Sequence, residues 1–311
     1  MAEIILHHYS LSTFSEKVRV ALGLKSLAWR SVDIPAAPPR PLLAPLTGGY
    51  RRVPVLQVGA DIYCDTHLIL PTLERLFPPP KAPSFYPAGS EGIARGLSFA
   101  WDRAMWIPTI GVLAHFIGDN FPPEFVKDRK EGYLGIDISK GAMAPELPMH
   151  LQQLHAQNAW LKTALADGRR FLFGDAPSEL DLTCYQTLCL MRKNCPPEVD
   201  TLAGLVPLLP WYDRVTALGH GRPEPMTEQA AFDVACEAQP VAPTHLQAGG
   251  DPDGLRAGSS VTITPDDNAR VPVSGTLVAA SDSVIVIHRR DSRAGDLQIH
   301  FPRLGFAVTA A

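Results

Sequence analysis

The chain has 311 residues, of which 46% are apolar and 19% charged, and its formal charge is −4 at pH 7. This length predicts about two domains with a sizeable core, and the mildly acidic balance excludes a general attraction to nucleic acid. No apolar run approaches the roughly 20 residues of a membrane helix, and the opening MAEIIL lacks the features of a secretory signal. The five cysteines include no Cys-x-x-Cys pair, which favours a reducing, cytoplasmic setting over a disulfide framework.

Strand-like and amphipathic segments alternate through residues 1–80. A buried strand is predicted at EIILHHY, a helix at SEKVRVALGLKSL and a second strand at AWRSVDIP. A Pro-rich loop follows, and then come two strands, VPVLQVG and DIYC, and the helix DTHLILPTLERLF. Because two consecutive strands imply an antiparallel pair, we expect a four-stranded mixed sheet in this α/β domain.

The rest of the chain changes character twice. A linker is predicted at PPPKAPSFYP, and helical periodicity then predicts an all-α bundle over residues 90–222. Within the bundle, SELD predicts a helix start in which Ser178 caps the first turn and Asp181 reaches back to the amide of the cap. After residue 240, short β-rich runs between Gly, Asp and Ser turns predict a small, separately packed all-β module, with a barrel as one option. The expected domains are therefore 1–80, 90–222 and 240–311.

Two motifs in this order resemble those of the cytosolic glutathione S-transferases. The segment LTGGYRRVPVLQVGADIYCDT is similar to the glutathione-binding segment of that family. FLFGDAPSELDL is similar to its helix-start motif, Gly-x-x-x-(Ser/Thr)-x-x-Asp, which Gly174, Ser178 and Asp181 fill. The resemblance covers about residues 1–220, and the residues after about 240 lie outside the ordinary pattern and resemble a β extension of some bacterial and fungal relatives.

The resemblance implies a thioredoxin-like first domain, a helical second domain and an enzyme. Glutathione would be the co-substrate, with no prosthetic group, and it would be conjugated to a small, mostly apolar electrophile, as in detoxification. The resemblance also implies a homodimer in the cytoplasm, with no membrane contact. A different class of function stays open, in which the chain is a non-catalytic binding protein whose C-terminal module binds a partner or nucleic acid.

The turn STFSEKVRV carries the candidate catalytic residue. Ser12 lies after the first predicted strand and before the first helix, where serine-type members of the family place the hydroxyl that stabilises the glutathione thiolate. Serine is also a frequent helix cap, which gives Ser12 a purely structural alternative. Ser15 stands where cysteine-type members keep their nucleophile, and Tyr9 is the rival thiol partner near the end of the strand.

Candidate glutathione-binding residues follow from the same resemblance. Val53 and Pro54 match the cis-proline site, where the backbone of the residue before proline pairs with the cysteinyl amide; a trans proline on an edge strand is the alternative. Asp65 and Thr66 match an acidic-hydroxyl pair that would bind the γ-glutamyl end at a helix N-terminus, although an ordinary N-cap has the same sequence.

Basic residues are candidate ligand-binding groups in two parts of the sequence. Arg51, rather than Arg52, is the preferred ligand for the glycine carboxylate, and a solvated pair on a loop is the alternative. In the C-terminal module, five basic residues raise the possibility of nucleic-acid binding, although solvated arginines are the preferred interpretation. These residues are His288, Arg289, Arg290, Arg293 and Arg303. His7 and His8 are interpreted as packing residues, and no metal site is predicted because a third ligand at suitable spacing is missing.

Overall fold

The computed structural model describes residues 3–246 and 254–311. The helices within these ranges are Thr13–Leu24 (α1), Leu43–Thr47 (α2), Thr66–Leu76 (α3), Glu91–Ile117 (α4), Pro123–Asp128 (α5), Lys140–Met143 (α6), Leu147–Ala164 (α7), Glu179–Asn194 (α8), Glu198–Leu202 (α9), Leu209–Thr216 (α10) and Glu228–Glu237 (α11). The strands are Ile5–His8 (β1), Ala28–Asp33 (β2), Val55–Val58 (β3), Asp61–Cys64 (β4), Arg222–Pro225 (β5), Ser260–Pro265 (β6), Val273–Ala280 (β7), Val284–Asp291 (β8), Gly295–Pro302 (β9) and Phe306–Ala310 (β10).

The first four strands form the predicted mixed sheet. Their order is β4-β3-β1-β2, with β1 parallel to β2 and antiparallel to β3, and with β3 antiparallel to β4. All four residues of β1 and all four of β4 are buried, as expected for strands covered on both faces. This arrangement is the thioredoxin-like domain that the sequence predicts.

The C-terminal residues form β-strands as predicted, but they do not pack separately. Strand β9 pairs in parallel with β4, with Ile62 opposite Ile299 and Tyr63 opposite His300. The sheet therefore runs without a break through ten strands in the order β10-β6-β7-β8-β9-β4-β3-β1-β2-β5. The expectation of a separate module is wrong because β4 offers an open edge, and an open edge pairs readily with another strand.

Side-chain contacts strengthen the junction between β4 and β9. The imidazole of His300 is stacked on the ring of Tyr63, with centroids 4.3 Å apart. Its Nε2 lies 2.9 Å from Oδ1 of the buried Asp61. The second carboxylate oxygen of Asp61 accepts a hydrogen bond from the Val241 amide at 3.0 Å. The C-terminal residues are thus tied to β4 by polar contacts as well as by strand pairing.

One apolar cluster fills the interior of this unit, and it takes residues from both ends of the chain. Ile5, Val55 and Ile62 from the first strands pack in the same cluster as Ile287 and Phe301 from the last. Helix α11, which the sequence analysis did not predict, adds Ala231, Phe232 and Ala235 to it. Because the two groups of strands share their apolar interior, neither has a complete core of its own.

The chain divides into two compact units. The first holds residues up to Ser15, Ala28–Thr72 and residues from Pro223 onward, and the second holds Glu16–Leu27 and Leu73–Arg222. In the second unit α4 packs against α7 and α8, which agrees with the predicted helical bundle. Among the described residues, no helix combines the length and apolar character that a membrane crossing requires.

Candidate functional site

The turn between β1 and α1 places Ser12 at the start of the helix. The amide of Ser12 donates to the Tyr9 carbonyl at 3.1 Å, and the amide of Ser15 donates to Oγ of Ser12, also at 3.1 Å. Ser12 therefore caps α1, as the structural alternative proposes. Capping uses only the acceptor capacity of the hydroxyl, so its proton remains available for donation to another group.

The two rivals of Ser12 have different surroundings. Ser15 is fully buried, and its Oγ has no hydrogen-bonding partner in the described part of the chain. Tyr9 packs against the shared apolar cluster and gives its carbonyl to the turn. A hydroxyl without exposed surface offers no place for a ligand sulfur to dock, so the geometry favours Ser12 over Ser15.

The Val53–Pro54 peptide bond is cis, as predicted. Val53 lies two residues before the start of β3, whose pairing with β1 and β4 begins at Val55. Within the described residues, neither backbone group of Val53 has a hydrogen-bonding partner. An extended peptide could therefore pair with this residue in the manner of an added strand.

Asp65 and Thr66 begin α3. Asp65 has a φ of 75°, in the left-handed region that Asp tolerates better than most residues. Its carbonyl accepts hydrogen bonds from the amides of Leu68 and Ile69, and its Oδ1 accepts one from the His67 amide at 2.9 Å. Asp65 is thus an N-cap, and its Oδ2 is not used in capping. Thr66 is only 3% exposed, and its hydroxyl has no partner among the residues described.

The two neighbouring arginines differ in what surrounds them. The carbonyl of Arg51 accepts a hydrogen bond from Nη1 of Arg40 at 2.7 Å. The guanidinium of Arg52 donates to the carboxylate of Asp267 and to the carbonyl of Asn268, and its Nη1 lies 3.9 Å from Oδ2 of Asp65. The guanidinium of Arg52 is thus engaged by residues of the C-terminal segment.

Comparison with known proteins decides the family. Residues 6–81 match the model of the glutathione S-transferase N-terminal domain, and residues 128–214 match that of the C-terminal domain. A GST-like protein from Pseudomonas syringae has 36% sequence identity and a TM-score of 0.79, and the alignment covers 100% of both chains. The chain belongs to the glutathione S-transferase family. A search of curated proteins gives no match.

Other glutathione S-transferase structures share the fold over part of this chain. A Ceriporiopsis subvermispora enzyme, solved in complex with glutathione, has 17% identity and a TM-score of 0.53, and the match covers 98% of it but 70% of this chain. A Methylobacterium radiotolerans protein, solved with glutathione sulfonate, has 19% identity and a TM-score of 0.50, with 98% and 72% covered. The Pseudomonas syringae protein, in contrast, matches this chain over its whole length.

Sequence reasoning missed three residues around this site. Arg40 is buried and donates to the carbonyls of Pro35, Ala36 and Arg51, which holds the loop before the cis-proline. Asp267 and Asn268 bind Arg52 from a segment that the sequence analysis expected to pack separately. The turn-forming residues PDDN predict a bend between β6 and β7. Nothing in this short sequence indicates that the bend binds Arg52.

The basic residues of the C-terminal strands have structural partners. Arg289 donates to the Ser274 carbonyl and Arg293 to the Pro41 carbonyl, each at 3.0 Å. Nε2 of His288 lies 3.0 Å from Oδ1 of Asp296. The sequence analysis preferred solvated arginines, whereas Arg289 and Arg293 bind backbone carbonyls. These contacts give no support to a nucleic-acid surface.

Proposed function

We propose that this member of the glutathione S-transferase family is an enzyme that conjugates glutathione to a small, mostly apolar electrophile. The observation that carries the proposal is the position of Ser12. Its Oγ is fixed by the amide of Ser15 at the start of α1, and its proton is left to donate. The glutathione-bound structures among the similar proteins support glutathione as the co-substrate.

The proposed chemistry needs a thiolate at neutral pH. A free thiol has a pKa of about 8.5, and lowering it by about two units requires about 2.7 kcal/mol. One hydrogen bond to a charged atom contributes about 1.5–3 kcal/mol, and a helix N-terminus favours an anion further. The Ser12 hydroxyl at the start of α1 could supply both effects, so a single residue is sufficient to stabilise the thiolate.

The remaining candidates would hold the two ends and the middle of the tripeptide. In this proposal Asp65 accepts from the α-amino group, and Thr66 with the N-terminus of α3 binds the γ-glutamyl carboxylate. The Val53 backbone pairs with the cysteinyl residue. Arg51 binds the glycine carboxylate, for which the planar guanidinium is well suited.

Substitution of Ser12 by alanine tests the catalytic role. Because binding of the tripeptide depends on other residues, Ser12→Ala should leave glutathione affinity nearly unchanged. It should lower the conjugation rate about 10- to 150-fold, which corresponds to the loss of about 1.5–3 kcal/mol of thiolate stabilisation. The direct measurement is the ultraviolet absorbance of the thiolate of bound glutathione as a function of pH.

The matched control is Ser139→Ala, which also removes a serine N-cap, that of α6. Both variants should lose stability, with Ser12→Ala losing about 1 kcal/mol. Only Ser12→Ala should raise the pKa of the bound thiol. If the thiolate titration of Ser12→Ala matches that of the parent, Ser12 is a cap alone and Tyr9 becomes the next residue to test. A cytoplasmic homodimer is part of the same proposal, and sedimentation of the intact chain tests the dimer.

A further inference from the structure

The segment 40–52, which leads to the cis-proline, is held by the C-terminal residues along its length. Arg293 donates to the Pro41 carbonyl, and the ring of Tyr50 meets that of Phe301 edge-on at 5.7 Å. At Gly48, the left-handed C-cap of α2, an added Cβ would lie 2.8 Å from Cγ1 of Val273. The last strands thus pack directly on the segment that precedes the candidate glutathione site.

Arg52 is the residue of this segment that links the C-terminal bend 266–269 to the site. Its Nη2 donates to Oδ1 of Asp267 and to the Asn268 carbonyl, and its Nε lies 3.2 Å from the same carbonyl. Its guanidinium also lies over the ring of Phe306, 5.8 Å from the centroid. Several partners on one side therefore fix the direction of the guanidinium.

One nitrogen of that guanidinium, Nη1, lies near Asp65. Nη1 of Arg52 lies 3.9 Å from Oδ2 of Asp65, which is too long for a hydrogen bond but close enough for an ion pair. The other oxygen, Oδ1, accepts from the His67 amide. In the described part of the chain, the Arg52 guanidinium is the group that lies beside Oδ2, so that oxygen retains its capacity to accept hydrogen bonds from a ligand.

We propose that Asp267 and Asn268 are positioning residues of the glutathione site: they hold Arg52 at its distance from Asp65 and thereby set the orientation of the Asp65 carboxylate. This inference rests on the proposed function, in which Asp65 binds the α-amino group of glutathione. It gives the C-terminal strands a role in substrate binding. Asp267 and Asn268 do not touch the ligand and act through Arg52.

The physical reason is that the Arg52 guanidinium and the α-ammonium group of glutathione compete for Oδ2 of Asp65. A guanidinium released from Asp267 can approach Asp65 and form a direct charge-assisted hydrogen bond, which is a strong contact. That contact would occupy or turn the oxygen that the α-ammonium group needs. A guanidinium held at 3.9 Å instead contributes favourable charge without using the acceptor.

The test replaces Asp267 by lysine in the full-length protein, because a like charge displaces Arg52 from the bend. Asp282→Lys is the matched control: Asp282 is an exposed residue at the β7–β8 turn, and it undergoes the same change of charge. Calorimetric titration measures the dissociation constants of glutathione and of an analogue in which hydrogen replaces the α-amino group. Circular dichroism confirms that each variant is folded.

Asp267→Lys should bind glutathione about three- to ten-fold more weakly, the size of a coupling between neighbouring charged groups. Added positive charge alone should strengthen the binding of the anionic tripeptide, so the two explanations predict opposite signs. The analogue should bind Asp267→Lys no more weakly than it binds the parent, because it lacks the group that Asp65 recognises. Asp282→Lys should not weaken the binding of either ligand.

Two results separate the inference from the function on which it rests. If the parent protein does not bind glutathione, the proposed function fails. If the parent binds glutathione and Asp267→Lys binds it as tightly as Asp282→Lys does, the function stands and the positioning role is overturned. Equal weakening for glutathione and the analogue would also overturn it. Asp267→Asn repeats the comparison with a milder change and should show the same selectivity at smaller size.

Discussion

His7 in β1 is buried inside a chain of polar contacts. Its Nε2 lies 2.7 Å from Oε1 of Gln57, and Nε2 of Gln57 donates to the carbonyls of Gly59 and Ala231. Since the Gln57 amide nitrogen is the donor to these carbonyls, Oε1 must accept, and His7 carries its proton on Nε2. His7 Nδ1 is buried with no partner among the described residues, so a second proton there would be an unpaired buried charge.

This environment predicts a loss of stability in mild acid. Burial lowers the pKa of His7 to about 4, although the hydrogen bond to Gln57 opposes the shift. The unfolded chain has a histidine pKa of about 6.5, so between these two values only the unfolded state is protonated. The free energy of unfolding therefore falls as the pH falls from about 6.5 to about 4, by about 2–3 kcal/mol.

Comparison of the parent with His7→Gln isolates this contribution. All other titrating groups are the same in both proteins, so the parent should lose about 2 kcal/mol more than the variant between pH 7 and pH 4.5. Urea unfolding at the two pH values measures the difference. His155→Gln, at an exposed histidine, is the matched control for the substitution. A parallel loss in the parent and His7→Gln would contradict the buried neutral state of His7.

At the scale of elements, the start of α8 is the junction that most fully matches its sequence prediction. Oγ of Ser178 accepts from the Asp181 amide at 3.3 Å, and Oδ2 of Asp181 accepts from the Ser178 amide at 2.9 Å. The other oxygen of Asp181 accepts from the Leu172 amide and from Nε1 of Trp211. The capping box thus also joins α8 to α10 and to the loop before it.

Asp181→Asn should destabilise the protein more than the loss of a cap alone. Asparagine has the same size as aspartate, but one of its two terminal atoms is an NH2 group. That group must face an N–H donor which, in the parent protein, donates to a carboxylate oxygen of Asp181. The loss of hydrogen bonds to a charged group, with a buried donor left unpaired, should cost about 2–4 kcal/mol, whereas Ser178→Ala should cost about 1 kcal/mol. Chemical unfolding followed by circular dichroism measures both. Equal losses would show that the second pair of contacts is energetically unimportant.

The end of α4 shows that local sequence alone is not sufficient to predict where a helix ends. Pro108 is a local signal for the end of a helix, but α4 continues through it to Ile117. Proline disfavours a helix interior because it lacks an amide hydrogen and clashes with the preceding turn. Val112, Leu113 and Ala114 beyond it are buried, and α4 packs on α7 and α8. Tertiary burial therefore outweighs this local cost.

The residues of the candidate site also divide into those that local sequence predicts and those that it does not. Ser12, the cis-proline and Asp65 lie at turns and helix starts, where local residue chemistry and a family motif are informative. Arg52 and Asp267 are 215 residues apart in the chain, and their contact depends on the pairing of β9 with β4. No spacing or periodicity records such a pairing, because strand registry between distant segments is fixed by the packed interior.

For the whole molecule, the ten-stranded sheet determines what can unfold independently. Strands from the two ends of the chain share one apolar cluster, and β4 and β9 share hydrogen bonds. A segment that lacks a complete core has little stability of its own. The sequence of the C-terminal strands resembles that of a separate module because alternation and turns report strands, but not what those strands pack against.

Phe301→Ala tests whether the first strands and the last strands unfold together. Phe301 is fully buried and contacts Tyr50 and Phe306, so its truncation should cost about 3–5 kcal/mol. In a cooperative unit, hydrogen exchange should speed up by the same factor at the amides of β1 and of β8, although only β8 lies in the C-terminal segment. Leu304→Ala, at a side chain 60% exposed, should change neither.

Faster exchange in β6–β10 with unchanged exchange in β1 would mean that the C-terminal strands open by themselves. In that case Arg52 would lose its partners at each opening, and the glutathione site would be coupled to a local equilibrium rather than to the stability of the whole sheet.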